Sequence, residues 1–251
     1  MRFVQVFSAV SASFLCSSAL AITGNAPPAV GWPARPIVMI IDQRGDLCTG
    51  TALARDLILT AAHCVARPAR YQVRAYQTDV PYVVAAIERH PNFKLANYTS
   101  SRATADIALI KLGAMLPDIV VPAALGAARR VAPGETLTIA GFGVTTSGTA
   151  LGLGEPRAAK LTVTGKPSTF QIRLYDEATR NSRAGLGACT GDSGGPAFDG
   201  EGPLVIGVIS WTTGPQNIEG CGGLTGLTPL LLYRGWIIET ARKLNSPILS
   251  D

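Results

Sequence analysis

Charged residues are scarce in this sequence, at 16% of its 251 residues, and histidine occurs only twice. Hydrophobic residues make up 47%, so the chain can bury a sizeable core, which excludes an intrinsically disordered protein. Few charges beside 27 glycines and 17 prolines favour a turn-rich chain of many short strands over a helical bundle. We therefore expect an all-β protein.

Further absences narrow the function. Beyond the N-terminal segment, no stretch approaches 18 uncharged apolar residues, so a membrane span is not expected. Lysine and arginine form no run and are not interleaved with aromatic residues, so nucleic acid is not indicated as a partner. The cysteines include no C-x(2–4)-C pair and the only histidines are His63 and His90, which argues against zinc. We expect neither a metal nor a cofactor.

The first 21 residues match a secretory signal peptide. Arg2 precedes an apolar stretch, and Ala19-Leu20-Ala21 has the small-x-small pattern that signal peptidase cleaves. A lipoprotein site at Cys16 is the alternative, but the bulky Leu15 stands where lipid attachment requires a small residue. We expect residues 1–21 to be removed, and residues 22–251 to be secreted into a periplasm or the medium without a remaining membrane association.

Four cysteines remain after this cleavage: Cys48, Cys64, Cys189 and Cys221. In an oxidising compartment, an even number of cysteines predicts two disulfides. Four cysteines allow three connectivities, and their spacing does not choose among them.

The pattern of apolar residues predicts short strands and one helix. Helical periodicity is clear only from about Tyr233 onward, and the Ala- and Pro-rich segment 116–135 resembles a connection between two groups of strands. The apolar runs typical of strands are Ile37 to Ile41, Leu57 to Thr60, Ile107 to Leu112, Thr136 to Ala140, Leu161 to Val163 and Leu204 to Trp211.

Three motifs carry the chemistry. LILTAAHC places His63 after a buried run and beside a cysteine, and TADIALIKL places Asp106 just before an apolar strand. ACTGDSGGPAF surrounds Ser193 with glycines, of which Gly191 allows backbone N–H groups to approach an oxyanion. A packed histidine, a capping aspartate or a surface turn would explain each motif alone. Their single occurrence together, in the order His, Asp, Ser, predicts a catalytic constellation.

With these motifs the chain resembles the trypsin/chymotrypsin family of serine endopeptidases from about Ile22 to Leu244, as a bacterial-type secreted member. The resemblance extends to Gly141-Phe142-Gly143, which is similar to the family's Gly-Trp-Gly turn, and to Ser210-Trp211-Thr212, which is similar to its Ser-Trp-Gly strand. It implies two six-stranded antiparallel β-barrels and a C-terminal α-helix. The N-terminal barrel would span about 22–120, and the C-terminal barrel with the helix about 130–245.

The resemblance also implies the role of each site residue. Ser193 attacks the scissile carbonyl, His63 takes its proton, and Asp106 orients the imidazole and accepts a hydrogen bond from Ser210. Backbone N–H groups of Gly191 and Ser193 form the oxyanion hole. The implied disulfides are Cys48–Cys64 beside the base and Cys189–Cys221 around the substrate pocket.

Activation in this family depends on a new N-terminal isoleucine, whose ammonium group pairs with the aspartate before the nucleophile. Here those residues are Ile22 and Asp192. Cleavage after Ala21 releases Ile22-Thr23-Gly24-Asn25, which is similar to the family's Ile-Val-Gly-Gly start. We therefore expect signal peptidase itself to make the activating cut.

The substrate pocket differs from that of trypsin. Gly187 stands where trypsin-like enzymes carry an aspartate for Arg or Lys, and Thr212 replaces a glycine on the pocket wall, while Gly226 leaves the opposite wall open. These residues predict cleavage after small or medium uncharged residues. The full set of implied substrate-binding residues is Gly187, Ala188, Thr190, Ser210, Trp211, Thr212 and Gly226.

The sequence thus predicts a secreted serine endopeptidase with protein or peptide substrates and a possible protein inhibitor. The alternative is a protease-like binding protein that keeps the fold but is weakly active or inactive.

Overall fold

The computed structural model describes residues 22–248 apart from residues 79, 166 and 201. The expected signal peptide, with Cys16, lies outside these residues. Within them, short strands dominate, as the composition predicted. The strands are β1 (Ile37–Asp42), β2 (Leu47–Ala54), β3 (Leu57–Thr60), β4 (Tyr71–Ala75), β5 (Pro81–Arg89), β6 (Ala108–Leu112), β7 (Ala124–Leu125), β8 (Thr136–Gly141), β9 (Arg157–Thr164), β10 (Ile172–Tyr175), β11 (Pro196–Asp199), β12 (Leu204–Thr212) and β13 (Thr225–Pro229); the helices are α1 (Leu95–Thr99) and α2 (Arg234–Lys243).

The first barrel closes in the strand order β1-β2-β3-β6-β5-β4, with β4 pairing back to β1. Its strands are antiparallel, and alternate side chains point inward because successive residues of a strand face opposite sides. The interior is filled by apolar side chains that include Val38, Ile40, Ile58, Val73 and Ile110.

The second barrel has the order β11-β8-β9-β10-β13-β12 and closes where β11 pairs with β12. All six strands are antiparallel, and the short β7 pairs parallel to β12 beside the barrel. The interior side chains include Leu137, Ile139, Leu161, Leu174 and Leu227. Two six-stranded antiparallel barrels with a C-terminal helix confirm the predicted fold.

A third apolar cluster joins the two barrels. It combines Leu57 and Leu109 of the first barrel with Phe142 and Phe198 of the second, all of them fully buried. Helix α2 adds Ile237 and other side chains to this cluster, so it covers the junction rather than one barrel alone. The two barrels therefore share one buried apolar core at their junction.

The two ends of the described chain cross over to the opposite barrel. Ile22 packs in the core of the second barrel, and isolated bridges join Thr23 to Gly187 and Pro28 to Arg157. The sequence had grouped these first residues with the N-terminal barrel. Sequence periodicity cannot detect this placement, because the segment makes no extended strand of its own.

The C-terminal end attaches to the first barrel. The hydroxyl of Ser246, which is 2% exposed, donates to Asp56 Oδ1 over 2.9 Å, and Lys111 pairs with the same carboxylate over 2.5 Å. Helix α2 contacts β6, the strand that carries Lys111. The N-terminal segment of the described chain thus packs in the second barrel, and the C-terminal segment bonds to the first.

The predicted strands match observed ones, with Ile107 alone falling one residue before β6. The terminal helix begins at Arg234, one residue after the predicted position. Among the described residues, none of the helices has the length and apolar character needed to cross a bilayer.

Candidate active site

The pairing of β3 with β6 in the first barrel brings His63, the predicted base, close to Asp106, the carboxylate predicted to orient it. Strand β3 ends at Thr60 and is paired there with Ala108, the first residue of β6. His63 follows β3 in a 3-10 turn over Ala62–Val65, and Asp106 lies two residues before β6. The two side chains therefore meet at one edge of the first barrel, although 43 residues separate them in sequence.

Asp106 orients His63 through two hydrogen bonds. The backbone N–H of His63 donates to Oδ1 over 2.8 Å, and the ring Nδ1 lies 2.8 Å from Oδ2. Ser210 donates its hydroxyl to Oδ2 over 2.5 Å, as the family resemblance implied. Asp106 is only 1% exposed, so these bonds replace the water that a buried carboxylate loses. Since a carboxylate only accepts, Nδ1 carries the hydrogen and Nε2 is left to act as a base.

Ser193 lies in the turn that leads into β11, and its surroundings are fixed by backbone contacts. Its carbonyl accepts the N–H of Thr49 over 2.8 Å. Gly194 has φ +84°, and a Cβ there would lie 2.1 Å from Thr60 Oγ1, so only glycine fits beside the nucleophile. Within the described residues, Ser193 Oγ makes no hydrogen bond to His63, and Nε2 lies 3.8 Å from Cys64 Sγ.

The backbone beside Ser193 presents two unused donors. The Thr190 carbonyl accepts the N–H of Val144 over 2.8 Å, so the N–H of Gly191, in the same trans peptide unit, points to the opposite side. The carbonyl of Gly191 is held by the hydroxyl of Thr49, also at 2.8 Å. In the part of the chain that the structure describes, neither Gly191 N–H nor Ser193 N–H donates a hydrogen bond. This arrangement suits an oxyanion.

Asp192 is completely buried beneath this loop. Its two carboxylate oxygens accept the N–H groups of Gly143 and Cys189, each over 2.8 Å. Burial raises the pKa of Asp192 to about 7, against the opposing effect of these two hydrogen bonds. A Cβ at Gly141 or Gly143 would lie 2.2 or 2.6 Å from the Asp192 side chain, which explains the Gly-Phe-Gly turn.

Ile22 packs beside the segment that leads to Asp192. Its side chain is fully buried in the same cluster as Ala188, and the N–H of Thr23 donates to the Gly187 carbonyl over 3.1 Å. A Cβ at Gly24 would lie 2.4 Å from the backbone of Gly185, so the segment fits tightly against the chain that leads to Asp192.

The predicted pocket residues are brought together between the nucleophile turn and β12–β13. Gly187 and Ala188 are buried and Thr190 is exposed. The hydroxyl of Thr212 donates across this region to the Ala188 carbonyl over 2.7 Å. The Thr225 hydroxyl accepts the N–H of Ala188 over 2.9 Å.

Gly226 lies on β13 directly opposite Trp211 of β12. A Cβ there would lie 1.9 Å from the indole ring of Trp211, its partner on β12, so Gly226 accommodates this indole instead of leaving an open wall. Trp211 lies in turn under the guanidinium of Arg173 at 6.0 Å and lines a cavity with Tyr98 and Phe170.

The structure contains the disulfides that the resemblance implied, Cys48–Cys64 and Cys189–Cys221. The first crosses from β2 to the turn that carries His63, and the second joins the nucleophile segment to the loop after β12. The sulfurs of Cys48 and Cys64 lie near His63 in a group that geometry alone would admit as a metal site. Because both sulfurs are bonded to each other, they offer no thiolate to a metal.

Three residues at the site carried no recognisable signal in the sequence. Thr49 connects the first barrel to the nucleophile turn, and Tyr98 stacks on His63. Arg157, which is 2% exposed, donates to the Ala26 carbonyl over 2.6 Å and anchors the N-terminal segment. Each contact joins residues that are more than 30 apart in sequence, so no local motif could have revealed it.

Comparison with known proteins agrees with this geometry. A family model described as Trypsin matches residues 22–237. Trypsin alpha of Drosophila erecta is 28% identical over 211 residues, which cover 78% of each chain. Snake venom serine protease rhinocerase 4 of Bitis rhinoceros is 27% identical over 216 residues, 81% of each. These animal relatives lend no support to the expected bacterial type.

Solved structures share the fold at lower identity. Human heparin binding protein superposes with a TM-score of 0.68 at 24% identity, covering 89% of this chain and 98% of that one. A structure titled HL collagenase has the same TM-score at 22% identity, over 87% and 98% of the two chains.

Proposed function

This chain belongs to the trypsin family, and from that premise we propose that it is a secreted serine endopeptidase acting through an acyl-enzyme intermediate. The observation that carries the proposal is the buried Asp106 holding His63 in the tautomer that leaves Nε2 basic, with two unused backbone donors beside Ser193.

In the proposed mechanism, Ser193 Oγ attacks the carbonyl carbon of the scissile peptide bond while His63 Nε2 takes its proton. The N–H groups of Gly191 and Ser193 bind the developing oxyanion. His63 then gives its proton to the leaving amine, and a water molecule hydrolyses the acyl-enzyme by the same route. The hydrogen bond from Ser193 to His63 would form when substrate binds, as catalytic hydrogen bonds often tighten only in the complex.

The proposal includes secretion and activation in one cut. Removal of residues 1–21 by signal peptidase would free the amine of Ile22 next to the buried Asp192. The family match begins at Ile22, and that side chain is already seated in the second barrel. Two disulfides are consistent with an oxidising compartment.

A fluorophosphonate, which bonds covalently to an activated serine, tests the proposed nucleophile. The mature protein should be labelled on the peptide that contains Ser193, and Ser193→Ala should abolish the label. Ser182→Ala, at an exposed serine, is the matched control and should retain it. Absence of label in a folded sample that begins at Ile22 would favour the protease-like binding protein.

We also propose that cleavage follows small or medium uncharged residues. The support is Gly187 at the base of the pocket, together with the bond from Thr212 to the Ala188 carbonyl that narrows it. In a peptide library with a randomised residue before the cut, Ala, Val or Thr should be favoured over Arg and Lys by about 10-fold or more. Cleavage confined to Arg would refute this assignment.

A further inference from the structure

A row of residues crosses the outer face of the second barrel and leads away from the proposed substrate cleft. Trp211 of β12 is opposite Gly226 of β13, and Gly226 is in turn opposite Arg173 of β10. On its other side, Arg173 is paired with Thr164 of β9. Residues directly opposite each other in antiparallel strands share one face of the sheet, and the exposed Arg173 shows that this face is the outer one.

Gly226 allows the indole and the guanidinium to meet across β13. A Cβ at this position would lie 1.9 Å from the Trp211 ring, so any other residue would displace the indole. Because glycine stands there, the guanidinium carbon of Arg173 lies over the indole at 6.0 Å from the ring centroid, within the range of a cation–π contact. The indole thus holds Arg173 at the border of the cleft.

Arg173 and Gln171 line two adjoining cavities. The first lies on the cleft side and is also lined by Trp211. The second, here called the outer cavity, has a volume of about 650 Å³ and is lined beyond this pair by hydroxyl and amide side chains that include Ser168, Tyr175 and Asn181. A peptide that leaves the cleft past Trp211 therefore meets the outer cavity next.

Hydrogen bonds between two loops hold the rim of the outer cavity. Asn181, which follows β10, donates Nδ2–H to Asn217 Oδ1 over 3.2 Å. The carbonyl of Asn181 accepts the N–H of Gln216 over 2.8 Å, and the Gln216 side chain donates to the Ser182 carbonyl over 3.3 Å. The concave surface therefore exists before a ligand binds, which lowers the cost of ordering it.

The outer cavity has a cationic side chain and, among the described residues that line it, no carboxylate. Arg180 lies there too, but its charge is offset by an ion pair with Glu177. Arg173 Nε donates only to the neutral Gln171 Oε1, over 3.4 Å, and no described carboxylate forms an ion pair with its guanidinium. The two terminal nitrogens can therefore bind a carboxylate through parallel hydrogen bonds.

The place of the row determines which part of a peptide would reach it. The residue that fills the pocket at Gly187 is the one before the cut, because Ser193 attacks its carbonyl. A peptide that continues from this pocket along β12 to Trp211 therefore runs toward its own N-terminus. Two strand spacings of about 4.8 Å separate Trp211 from Arg173, a distance that about three extended residues span.

We propose that Arg173 and the outer cavity form a second substrate-binding site, which takes an acidic side chain at least four residues before the scissile bond. The inference rests on the proposed endopeptidase function. It adds a class of substrate to that function: proteins with an acidic segment on the N-terminal side of the cut.

Paired peptide substrates test the charge preference. Peptidyl p-nitroanilides carry the best residue from the library at the cut and a single Glu or Gln at each position from the second to the eighth before it. At one or more positions from the fourth onward, KM should be about 3- to 10-fold lower for Glu than for Gln, with kcat the same in each pair. The difference should fall below about 2-fold in 1 M NaCl.

Variants separate the site from the overall charge of the chain. Arg173→Gln should remove the difference between the Glu and Gln peptides, and Arg173→Lys, which keeps the charge but not the planar fork, should retain part of it. Arg242→Gln, at an exposed arginine of α2, is the matched control and should keep the full difference. An equal loss in Arg173→Gln and Arg242→Gln would reflect only the net positive charge, and would overturn the site.

Binding of the corresponding fluorescent peptide amides to Ser193→Ala gives a readout without turnover. If fluorophosphonate labels the wild type but no position distinguishes Glu from Gln in KM or in binding, the second site is overturned and the endopeptidase stands. If the wild type is not labelled, the endopeptidase is overturned. A preference for Glu that depends on Arg173 would then support the same acidic-peptide site in a protease-like binding protein.

Discussion

Asp106→Asn is expected to lower kcat by about 10⁴-fold with little change in the fold. Oδ1 accepts the backbone N–H of His63, which can only donate, so the amide oxygen of the new asparagine must take that position. The amide NH2 then faces Nδ1 and forces it to accept. The hydrogen of the imidazole moves to Nε2, which can no longer take the proton of Ser193.

Steady-state kinetics on the best library peptide, with the rate of fluorophosphonate labelling, checks this expectation. Asp118→Asn is the matched control, because Asp118 is an exposed carboxylate paired with Arg55 and should retain full activity. Both variants should keep a melting temperature close to that of the wild type or slightly below it. An Asp106→Asn enzyme with more than about a tenth of the wild-type kcat would contradict the assigned tautomer.

A chain that retains Ala21 before Ile22 is expected to lose about 10²- to 10³-fold in kcat/KM, the cost of an unpaired buried charge. Its amine cannot reach the interior, so Asp192 stays without a cation. Burial then holds the pKa of Asp192 near about 7. In the chain that begins at Ile22, the neighbouring ammonium should bring this pKa back down.

The direction in which pH changes stability follows from the difference between the pKa values of Asp192 in the two chains. A carboxyl whose pKa is raised in the folded state carries no penalty below about pH 4; its destabilisation grows as the pH rises from about 4 to about 7 and stays constant above that. The melting temperatures of the two chains should therefore be close at pH 4, diverge between about pH 4 and 7 and differ most from about pH 7, with the Ile22 chain the more stable by up to about 4 kcal/mol.

Asp192→Asn made in both chains supplies the control, because it removes the titrating group and should remove the divergence. Mass spectrometry of each sample establishes which N-terminus is present. Equal activity of the two wild-type chains would contradict activation by signal peptide cleavage.

Short sequence patterns were sufficient to predict a strand, the C-terminal helix and three residues of the candidate site. The strand around Leu57–Thr60 and the helix after Tyr233 were predictable because their apolar residues repeat with the period of the element. His63, Asp106 and Ser193 were predictable because each sits in a motif with its own chemical reason. The family resemblance, rather than any periodicity, supplied the closed barrels and the choice of disulfides.

Other features depend on contacts between distant segments. Tyr98 reaches Ser210 across 112 residues and Thr49 reaches Gly191 across 142, so neither contact leaves a local pattern. The sequence predicts an open wall at Gly226, but the strand register places the indole of Trp211 over this residue. The contacts of Ile22 and Thr23 with the second barrel likewise join segments that are far apart in sequence.

The crossing of the chain ends has a consequence for biosynthesis. Ile22 is translated early, yet it packs against residues such as Ala188 and Gly187 that are translated more than 160 positions later. The nucleophile turn above Asp192 therefore has no complete support while the polypeptide is still emerging. If the proposed activation is correct, the ability to cut peptide bonds would arise only after translation is nearly finished and residues 1–21 have been removed.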